Sequence, residues 1–545
     1  MKPTKTLAPS SALDSTINAA YDLIKAGRLD EADQLCQGLL ALTPNIKTAV
    51  LASAIAEARP DLPRALEIVN AAIEHHGEKA ELLLKQAQVL MQLRRRVEGV
   101  AAARRAAEIC PPDARLLQAI AKVHVEWRNE PAEAQPLLQR ARELLPTDPA
   151  ILYDSALSHF YLNETDEAAA LLERVLTLAP GNGFALYVRS QLRTQTAAKN
   201  NVEYLRATLL RPQIRKQDAI SAYFALSKEL EDIGEFQESF AALSEGNRIK
   251  RSTLAYEVRN DVDAMQKVMA NFSREALAQA APGEPAAGPI FIVGMPRTGT
   301  TLVERILGSH ADVVSLGELV DFPAEMTALA ERAYVDAGSK EPDLLRASLQ
   351  MDFAELGRNY LKAVRPLAGG RKYFIDKLPF NFRYCGLIHQ ALPNAKIVHL
   401  TRDPLDTCYA VFKTLFINAY HYSYQLDELA QFYVAYRRTM AHWHAVMPGV
   451  ICDVGYEDLV ADPPTQCRRL LDWCGLPWQD DVLDFHRSRV ASTTASAAQV
   501  RKPIYTSSVQ KWRNFAQQLQ PVVRRLADAG LVDAEGNALP APEPG

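Results

Sequence analysis

Apolar residues recur at helical spacing through the first half of the chain. From about residue 12 to residue 251 the sequence is rich in Ala, Leu, Glu, Arg and Gln and has almost no strand-like apolar runs. Apolar positions three and four residues apart form one face of an amphipathic helix. This half of the chain is therefore predicted to be helical throughout.

A fixed step divides this helical half. Turn signals begin at Pro112, Pro146 and Pro180, a step of 34 residues each time, and Pro44 lies two such steps upstream. This is the period of the tetratricopeptide repeat, a helix-turn-helix unit that buries its apolar face only by stacking on its neighbours. The sequence predicts a tetratricopeptide repeat array over residues 12–251, with an irregular all-helical domain as the alternative.

The pattern changes after residue 251. Residues 252–288 are predicted to be a helical extension and linker, because the stretch from 274 to 289 is rich in Ala, Pro and Gly and shows no periodicity. From 289 to 530, helical segments alternate with short apolar runs typical of buried parallel strands: 289–293, 372–376, 396–400 and 450–454. Such alternation predicts a doubly wound α/β domain with ligands at the carboxyl ends of its strands. The tail, 531–545, is predicted to be disordered.

Composition narrows the class of protein. With 48% hydrophobic and 23% charged residues, the protein is expected to be globular, and its 545 residues are too many for one domain. The net charge of -4 gives no electrostatic basis for binding nucleic acid. The seven scattered cysteines are expected to be buried free thiols, and no metal site is predicted. Without an apolar leader or a membrane-length apolar run, we expect a cytoplasmic protein with no membrane span.

A glycine-rich loop follows the first predicted strand. Residues 294–301, GMPRTGTT, lead directly into a helical pattern, the context in which backbone N–H groups and a helix N-terminus bind an anion. The GxxxxG spacing is that of a P-loop, but Thr300 stands where nucleotide triphosphatases have a lysine. The missing lysine disfavours a triphosphate, and Arg297 offers a cation nearer a 5′-phosphate.

Residues 291–310, FIVGMPRTGTTLVERILGSH, resemble the phosphosulfate loop of the tyrosylprotein sulfotransferases and their bacterial relatives, and the similarity extends over about residues 290 to 525. Many bacterial members also carry tetratricopeptide repeats ahead of the catalytic domain. The resemblance implies 3′-phosphoadenosine 5′-phosphosulfate (PAPS) as co-substrate, with no metal. It also implies that the 5′-phosphosulfate is held by Arg297, Thr298, Gly299, Thr300 and Thr301.

Sulfuryl transfer to a hydroxyl needs a base and a cation, and this donor also needs a 3′-phosphate site. Glu318 stands at the place of the family's catalytic glutamate, although Ser315 and Glu318 would also fit a helix capping box. Lys377 follows a predicted strand and resembles the family's lysine that contacts the sulfuryl group. Arg402 resembles the 3′-phosphate arginine; the alternative is a turn arginine paired with Asp403.

The sequence departs from the family pattern at one donor position. Relatives usually place a serine eight residues after the 3′-phosphate arginine, where this chain has Ala410. Thr407 and Tyr409 are the nearby side chains with a hydroxyl. This difference puts the binding of the 3′-phosphate in question.

Later segments add weaker candidates. Tyr456 resembles the family's tyrosine near the adenine, and Lys502, ten residues before Trp512, resembles a basic residue of the loop that closes over the nucleotide. Each has an alternative role in the core or at the surface. Three hydroxyl residues upstream of Lys502 are further candidates for the sulfuryl group: Ser492, Thr494 and Ser496.

The leading hypothesis is a PAPS-dependent sulfotransferase acting on an acceptor hydroxyl. Glu318 would be the base, Lys377 and Arg297 would stabilise the sulfuryl group, and Arg402 would hold the 3′-phosphate. The resemblance points to protein or peptide tyrosine, while a saccharide, a lipid or a small molecule stays open because fold and donor site do not fix the acceptor. The repeat array would bind a protein or peptide partner. The alternatives are a tetratricopeptide-repeat interaction scaffold with an inactive nucleotide-binding domain, and an ATP- or GTP-dependent phosphotransferase.

Overall fold

The computed structural model describes residues 9–42, 44–127, 130–336, 344–485 and 508–539. The chain divides into two compact units, Met1–Leu162 and Asn163–Gly545. The predicted fold class is confirmed, because helical hairpins come first and a parallel sheet with helices follows. No helix in the described part of the chain is long and apolar enough to cross a membrane.

The first unit is built from helical hairpins. Helices α3, α5, α7 and α9 begin at residues 46, 80, 114 and 149, so the period read from the prolines is confirmed. The helices of this unit are α1 (Pro9–Lys25), α2 (Leu29–Leu42), α3 (Ile46–Ala58), α4 (Leu62–His76), α5 (Ala80–Gln92), α6 (Arg96–Glu108), α7 (Ala114–Glu126), α8 (Pro131–Leu144) and α9 (Pro149–Tyr161).

Local sequence explains where these helices begin. The side chains of Asn45, Asp61, Asp113 and Asp148 each accept a hydrogen bond from a backbone N–H in the first turn of the following helix. Such caps satisfy N–H groups that have no partner inside the helix. Small residues allow the hairpin helices to pack closely, since these alanines are fully buried: Ala65, Ala87, Ala103, Ala106, Ala134 and Ala141.

The second unit opens with further helices. They are α10 (Thr165–Leu178), α11 (Gly183–Gln191), α12 (Val202–Leu209), α13 (Lys216–Asp232), α14 (Phe236–Arg251), α15 (Val258–Asn271) and α16 (Arg274–Gln279). Residues 274–279, the start of the stretch predicted to be a linker without periodic structure, form α16. The prediction was wrong for these six residues. The Ser273 hydroxyl caps α16, and Leu277 buries its side chain in the core.

Within the described residues, five parallel strands form the sheet, in the order β2-β3-β1-β4-β5. They are β1 (Pro289–Gly294), β2 (Val313–Ser315), β3 (Tyr373–Asp376), β4 (Lys396–Thr401) and β5 (Ile451–Gly455). The four predicted strands are confirmed. Strand β2 was not predicted, because three residues are too few to show a periodic pattern.

Helices cover both faces of the sheet. Successive residues of β1 enter different hydrophobic clusters, Phe291 on one face and Ile290 and Ile292 on the other, as the twofold alternation of a strand requires. The helices that follow β1 along the chain are α17 (Thr300–Gly308), α18 (Asp321–Asp336), α19 (Leu344–Ala347), α20 (Phe353–Val364), α21 (Cys385–Ala391), α22 (Pro404–Phe412), α23 (Leu426–Val446), α24 (Tyr456–Ala461), α25 (Pro463–Cys474) and α26 (Gln520–Asp528).

The start of the predicted disordered tail is ordered. Val532 is 1% exposed and forms an isolated antiparallel bridge with Ala538. Between them, the Asn537 backbone N–H donates to the Asp533 carboxylate at 2.7 Å. A short polar turn that buries one apolar side chain carries no periodic pattern, so the prediction was wrong for residues 531–539. Residues 540–545 lie outside the described residues.

Every cysteine of the chain is a buried free thiol, as predicted. The pKa of Cys36 and that of Cys467 are each raised to about 11, mainly by burial. A thiol with a raised pKa is a weak nucleophile near neutral pH. The cysteines therefore act as small apolar packing groups.

The contact between α21 and α23 gives a test of the packing. An added Cβ at Gly386 would lie 2.5 Å from Cζ3 of the fully buried Trp443 ring. Overpacking of this kind costs about 1–3 kcal/mol. We expect Gly386→Ala to lower the thermal midpoint by several degrees in scanning fluorimetry. Gly308→Ala is the control, since its nearest neighbour is 3.9 Å away; equal midpoints for the two variants would contradict the packing described.

Candidate functional site

The loop between β1 and α17 approaches its neighbours closely. Gly294 has φ 144° and Gly299 has φ 106°, in the region that favours glycine. An added Cβ would lie 2.8 Å from the Leu400 carbonyl oxygen at the first position and 2.7 Å from the Tyr456 ring at the second. Both glycines are therefore needed for the loop to lie between β4 and α24.

Polar groups inside the loop fix its shape. The Thr298 hydroxyl donates to the Met295 carbonyl oxygen at 2.8 Å, and Arg297 adopts a left-handed backbone with φ 68°. Gly299 is the N-cap of α17, and the helix begins with the buried Thr300 and Thr301. The loop thus ends at a helix N-terminus, where an anion is stabilised by backbone N–H groups.

Lys377 and Glu318 form an ion pair at the edge of the sheet. The Lys377 Nζ lies 2.5 Å from Glu318 Oε1 and 3.7 Å from Glu304 Oε2. The lysine side chain is 1% exposed, whereas the Glu318 side chain is 43% exposed. Glu318 thus faces solvent with one side and a buried ammonium with the other.

The Glu304 contact was not predicted. Ser315 donates to Glu304 Oε1 at 2.5 Å instead of capping a helix with Glu318, and α18 begins only at Asp321. Burial alone would lower the pKa of Lys377, but the nearby carboxylates of Glu304 and Glu318 outweigh burial and raise it. Lys377 therefore stays an ammonium across the physiological pH range.

Arg402 lies at the carboxyl end of β4, beside the loop. Its Nη1 donates to the Arg297 carbonyl oxygen at 3.0 Å and its Nη2 donates to the Ser508 carbonyl oxygen at 2.7 Å. The guanidinium also lies over the Tyr456 ring, 4.8 Å from the ring centroid. Arg402 Nη2 lies 3.9 Å from the carboxylate of Asp406. The alternative prediction, a turn arginine paired with Asp403, is therefore wrong in its partner.

The remaining predicted residues fall in different places. The Tyr456 hydroxyl hydrogen-bonds the Ser508 hydroxyl at 2.6 Å. Ala410 is buried, the Tyr409 hydroxyl donates to Glu231 at 2.9 Å, and Thr407 is fully buried with no partner for its hydroxyl among the described residues. Several predictions lie outside the described residues: Lys502, Ser492, Thr494 and Ser496.

Residues 289–480 match the sequence profile of the sulfotransferase family. This part of the chain is a sulfotransferase-family domain. An uncharacterized protein of Aquifex aeolicus (strain VF5) is 32% identical to the chain over 408 residues, which cover 74% of this chain and 53% of that protein. The protein-tyrosine sulfotransferase of Drosophila melanogaster is 25% identical over 258 residues, or 44% of this chain and 49% of that protein.

The chain spans about half the length of these two relatives. Among solved structures, the sulfotransferase domain of the Synechococcus PCC 7002 olefin synthase has 22% identity and a TM-score of 0.32, covering 43% of this chain and 91% of that one. The tetratricopeptide repeat protein YrrB has 17% identity and a TM-score of 0.26, covering 38% and 96%. The predicted resemblance to tyrosylprotein sulfotransferases is confirmed by the curated relatives.

A buried polar network in the sulfotransferase domain was missed. His399, on β4, bonds through Nδ1 to Asp453 at 2.6 Å and through Nε2 to the Tyr436 hydroxyl at 2.5 Å. The sequence shows a histidine inside an apolar strand, and a buried polar side chain requires a hydrogen-bond partner. This residue could have indicated the network.

His444 joins this network at its exposed end. Its Nε2 lies 3.1 Å from Asp453 Oδ2, and atoms of His399, His444 and Asp453 that could bind a metal lie within 4.8 Å of one another. Hydrogen bonds already engage both ring nitrogens of His399. The contacts describe a hydrogen-bonded network that joins β4, β5 and α23.

Asp403 gives a pH test of the sulfotransferase domain. It caps α22, and burial raises its pKa to about 6. The ordinary pKa of an aspartate is about 4, so between about pH 4 and about pH 6 the folded state binds the proton of Asp403 more tightly than the unfolded state does. Asp403 therefore makes the domain less stable as pH rises through this window. We expect Asp403→Asn, which keeps a capping side chain, to gain stability relative to wild type across that window, by about 2–3 kcal/mol at most.

The measurement is the denaturant midpoint from pH 4.5 to 7.5. Asp462→Asn, at the exposed cap of α25, is the matched control for the replacement of a capping carboxylate by an amide. A difference between Asp403→Asn and wild type that does not change with pH would contradict the burial of this carboxylate.

Proposed function

We propose that the sulfotransferase domain moves the sulfuryl group from PAPS to an acceptor hydroxyl. The observation that carries the proposal is the meeting of three groups at one edge of the sheet. The glycine loop follows β1, Lys377 follows β3, and Arg402 follows β4, and these three strands are neighbours. Ligands of doubly wound sheets bind at such an edge, next to the strand where the order reverses.

The residues present suit a donor with two anionic groups. The N-terminus of α17 and Arg297 suit the 5′-phosphosulfate, because backbone N–H groups and a cation stabilise its charge. Arg402 suits the 3′-phosphate: its Nε is buried without a partner among the described residues, and a phosphate oxygen would accept a hydrogen bond from it. Tyr456 offers its ring near the same end of the site.

Two side chains would carry the chemistry. Glu318 would accept the proton of the acceptor hydroxyl, since its carboxylate is partly exposed and held by its ion pair with Lys377. Lys377 would neutralise charge on the oxygen that leaves the sulfur, since it is a buried ammonium with a raised pKa. The S–O bond to the acceptor forms as the S–O bond to the donor breaks, with adenosine 3′,5′-bisphosphate as leaving group.

The acceptor that we propose is a protein or peptide tyrosine. The Drosophila relative bears the name protein-tyrosine sulfotransferase, and in this chain Phe380 stands three residues after Lys377, the ion-pair partner of Glu318. Burial, and to a lesser extent the charge of Glu318, raises the pKa of Tyr420. Phe380 and Phe416 pack on Tyr420 with ring centroids 4.9 and 4.7 Å away, a surface suited to an aromatic side chain.

The helical repeats would serve as the protein-binding part of the chain. We propose an array over residues 12–251, an extension over 252–288 and a sulfotransferase domain over 289–530. Stacked helical hairpins offer extended surfaces for polypeptides. A polypeptide acceptor is consistent with such an array.

Donor binding can be tested by calorimetric titration with adenosine 3′,5′-bisphosphate beside magnesium ATP. We expect the bisphosphate to bind preferentially and Arg402→Ala to weaken it by about tenfold to a hundredfold, the effect of losing a charge-assisted hydrogen bond. Arg358→Ala is the matched control, an arginine of α20 whose side chain is 55% exposed. Equal binding of ATP and the bisphosphate would contradict the donor assignment.

The role of Glu318 can be tested with labelled PAPS and a library of tyrosine peptides. We expect Glu318→Gln to lower kcat by about a hundredfold to ten-thousandfold, the usual contribution of a general base, while bisphosphate affinity stays close to wild type. Glu331→Gln, an exposed glutamate on α18, should transfer sulfate at the wild-type rate. Full activity of Glu318→Gln would exclude this residue as the base.

A further inference from the structure

A buried carboxylate from the helical segments reaches the end of α22 in the sulfotransferase domain. Glu231, in the last turn of α13, lies with its two oxygens 2.9 and 3.1 Å from the Lys413 Nζ. It also accepts a hydrogen bond from the Tyr409 hydroxyl at 2.9 Å and lies 3.7 Å from the Lys511 Nζ. The Glu231 side chain is 13% exposed, so these contacts are largely shielded from water.

The hairpin formed by α13 and α14 packs on α22. Asn247 of α14 donates to the carbonyl oxygen of Phe412, the last residue of α22, at 3.2 Å. The rings of Phe240 and Phe412 stack with centroids 5.8 Å apart. Helix α22 begins two residues after Arg402, at the candidate donor site. The hairpin therefore holds the other end of this helix in place.

Positive charge gathers around this contact. The ammonium groups of Lys413 and Lys511 share the carboxylate of Glu231, at 2.9 and 3.7 Å. The 508–511 segment connects this cluster to the candidate donor site, because the Ser508 carbonyl oxygen accepts a hydrogen bond from Arg402 and Lys511 lies next to Glu231. Two ammonium groups that share one carboxylate leave a net positive charge at a partly buried place, which favours an anionic ligand.

We propose that Lys413 is a further phosphate-binding residue of the donor site, and that Glu231 is the positioning residue that holds it there. The inference rests on the proposed function, because it assigns Lys413 to the same nucleotide. The Lys413 side chain is 26% exposed, so it reaches solvent, and its ammonium lies over the Tyr409 ring, 4.8 Å from the centroid. A lysine three residues after Ala410 would supply charge where the expected serine hydroxyl is missing.

Glu231 keeps this lysine charged as well as in place. The groups that face Lys413 are Glu231 from α13, Lys511 from the 511–515 segment, Arg297 from the loop and Tyr409 from α22. Burial lowers the pKa of Lys413, Glu231 opposes that effect, and Lys511 and Arg297 add to it. Without the carboxylate, Lys413 would lose its proton at a lower pH.

The first experiment titrates the full chain with adenosine 3′,5′-bisphosphate and with adenosine 5′-monophosphate. We expect Lys413→Met to weaken bisphosphate binding by about tenfold or more and to reduce its salt dependence, since a phosphate contact is lost. Lys413→Arg should keep most of the affinity, and Lys362→Met, an exposed lysine of α20, should match wild type. An equal loss for the monophosphate assigns Lys413 to the 5′ side, and a loss confined to the bisphosphate assigns it to the 3′ side.

The second experiment follows bisphosphate affinity from pH 6.5 to 9.5 in wild type and Glu231→Gln. Near pH 6.5 Lys413 is charged in both, and the amide oxygen introduced by Glu231→Gln can still accept a hydrogen bond from Lys413 and hold it in place. The variant should therefore bind as tightly as wild type or more tightly at this pH. As pH rises, the variant should lose affinity at a lower pH, because its lysine loses the proton first. A purely structural role would give a loss that does not depend on pH.

The outcomes separate this inference from the function on which it rests. No bisphosphate binding to the wild type would overturn the donor assignment and the inference together. Wild-type binding that Lys413→Met leaves within twofold, in a variant with an unchanged thermal midpoint, would overturn the inference alone. Parallel pH profiles for wild type and Glu231→Gln would overturn the role of the carboxylate.

Discussion

The parallel pairing of β1 with β3 and β4 is the constraint on which the site depends. Parallel strands end at the same edge, so residues more than a hundred positions apart, such as Arg297 and Arg402, are brought within hydrogen-bonding distance. The pairing is possible because both faces of β1 are apolar and covered by helices. Glycines then let the loop turn sharply at the end of this buried strand.

A second constraint is the cost of placing charge in this interior. Lys377, Arg402 and Lys413 all have restricted access to water, and each contacts an anion or a carbonyl oxygen. A buried charge without such partners would be strongly destabilising. The carboxylates of Glu304, Glu318 and Glu231 therefore belong to the architecture of the site, whatever part each has in catalysis.

The features that could be predicted from the sequence are those that periodicity, short motifs and resemblance encode. The step between the prolines located the helix pairs, and the strand-loop-helix pattern at residues 289–308 located the loop. Strand β2 was missed because its three residues carry no pattern. Contacts between distant segments could not be predicted: Glu231 and Lys413 are 182 positions apart, and nothing in the helical sequence around Glu231 indicates its burial. The local pattern of apolar residues predicts a single helix or strand, whereas these interactions depend on which helices and strands pack together.

The docking of the α13–α14 hairpin bears on how the protein can be divided. A fragment cut at the start of β1 would contain every strand and the whole glycine loop, yet it would leave Phe412 and Phe515 without the aromatic rings of α14 that cover them. It would also leave Lys413 next to Lys511 without the carboxylate between them. The smallest stable fragment that contains the sulfotransferase domain should therefore begin ahead of α13, inside what the sequence alone marks as the repeat array.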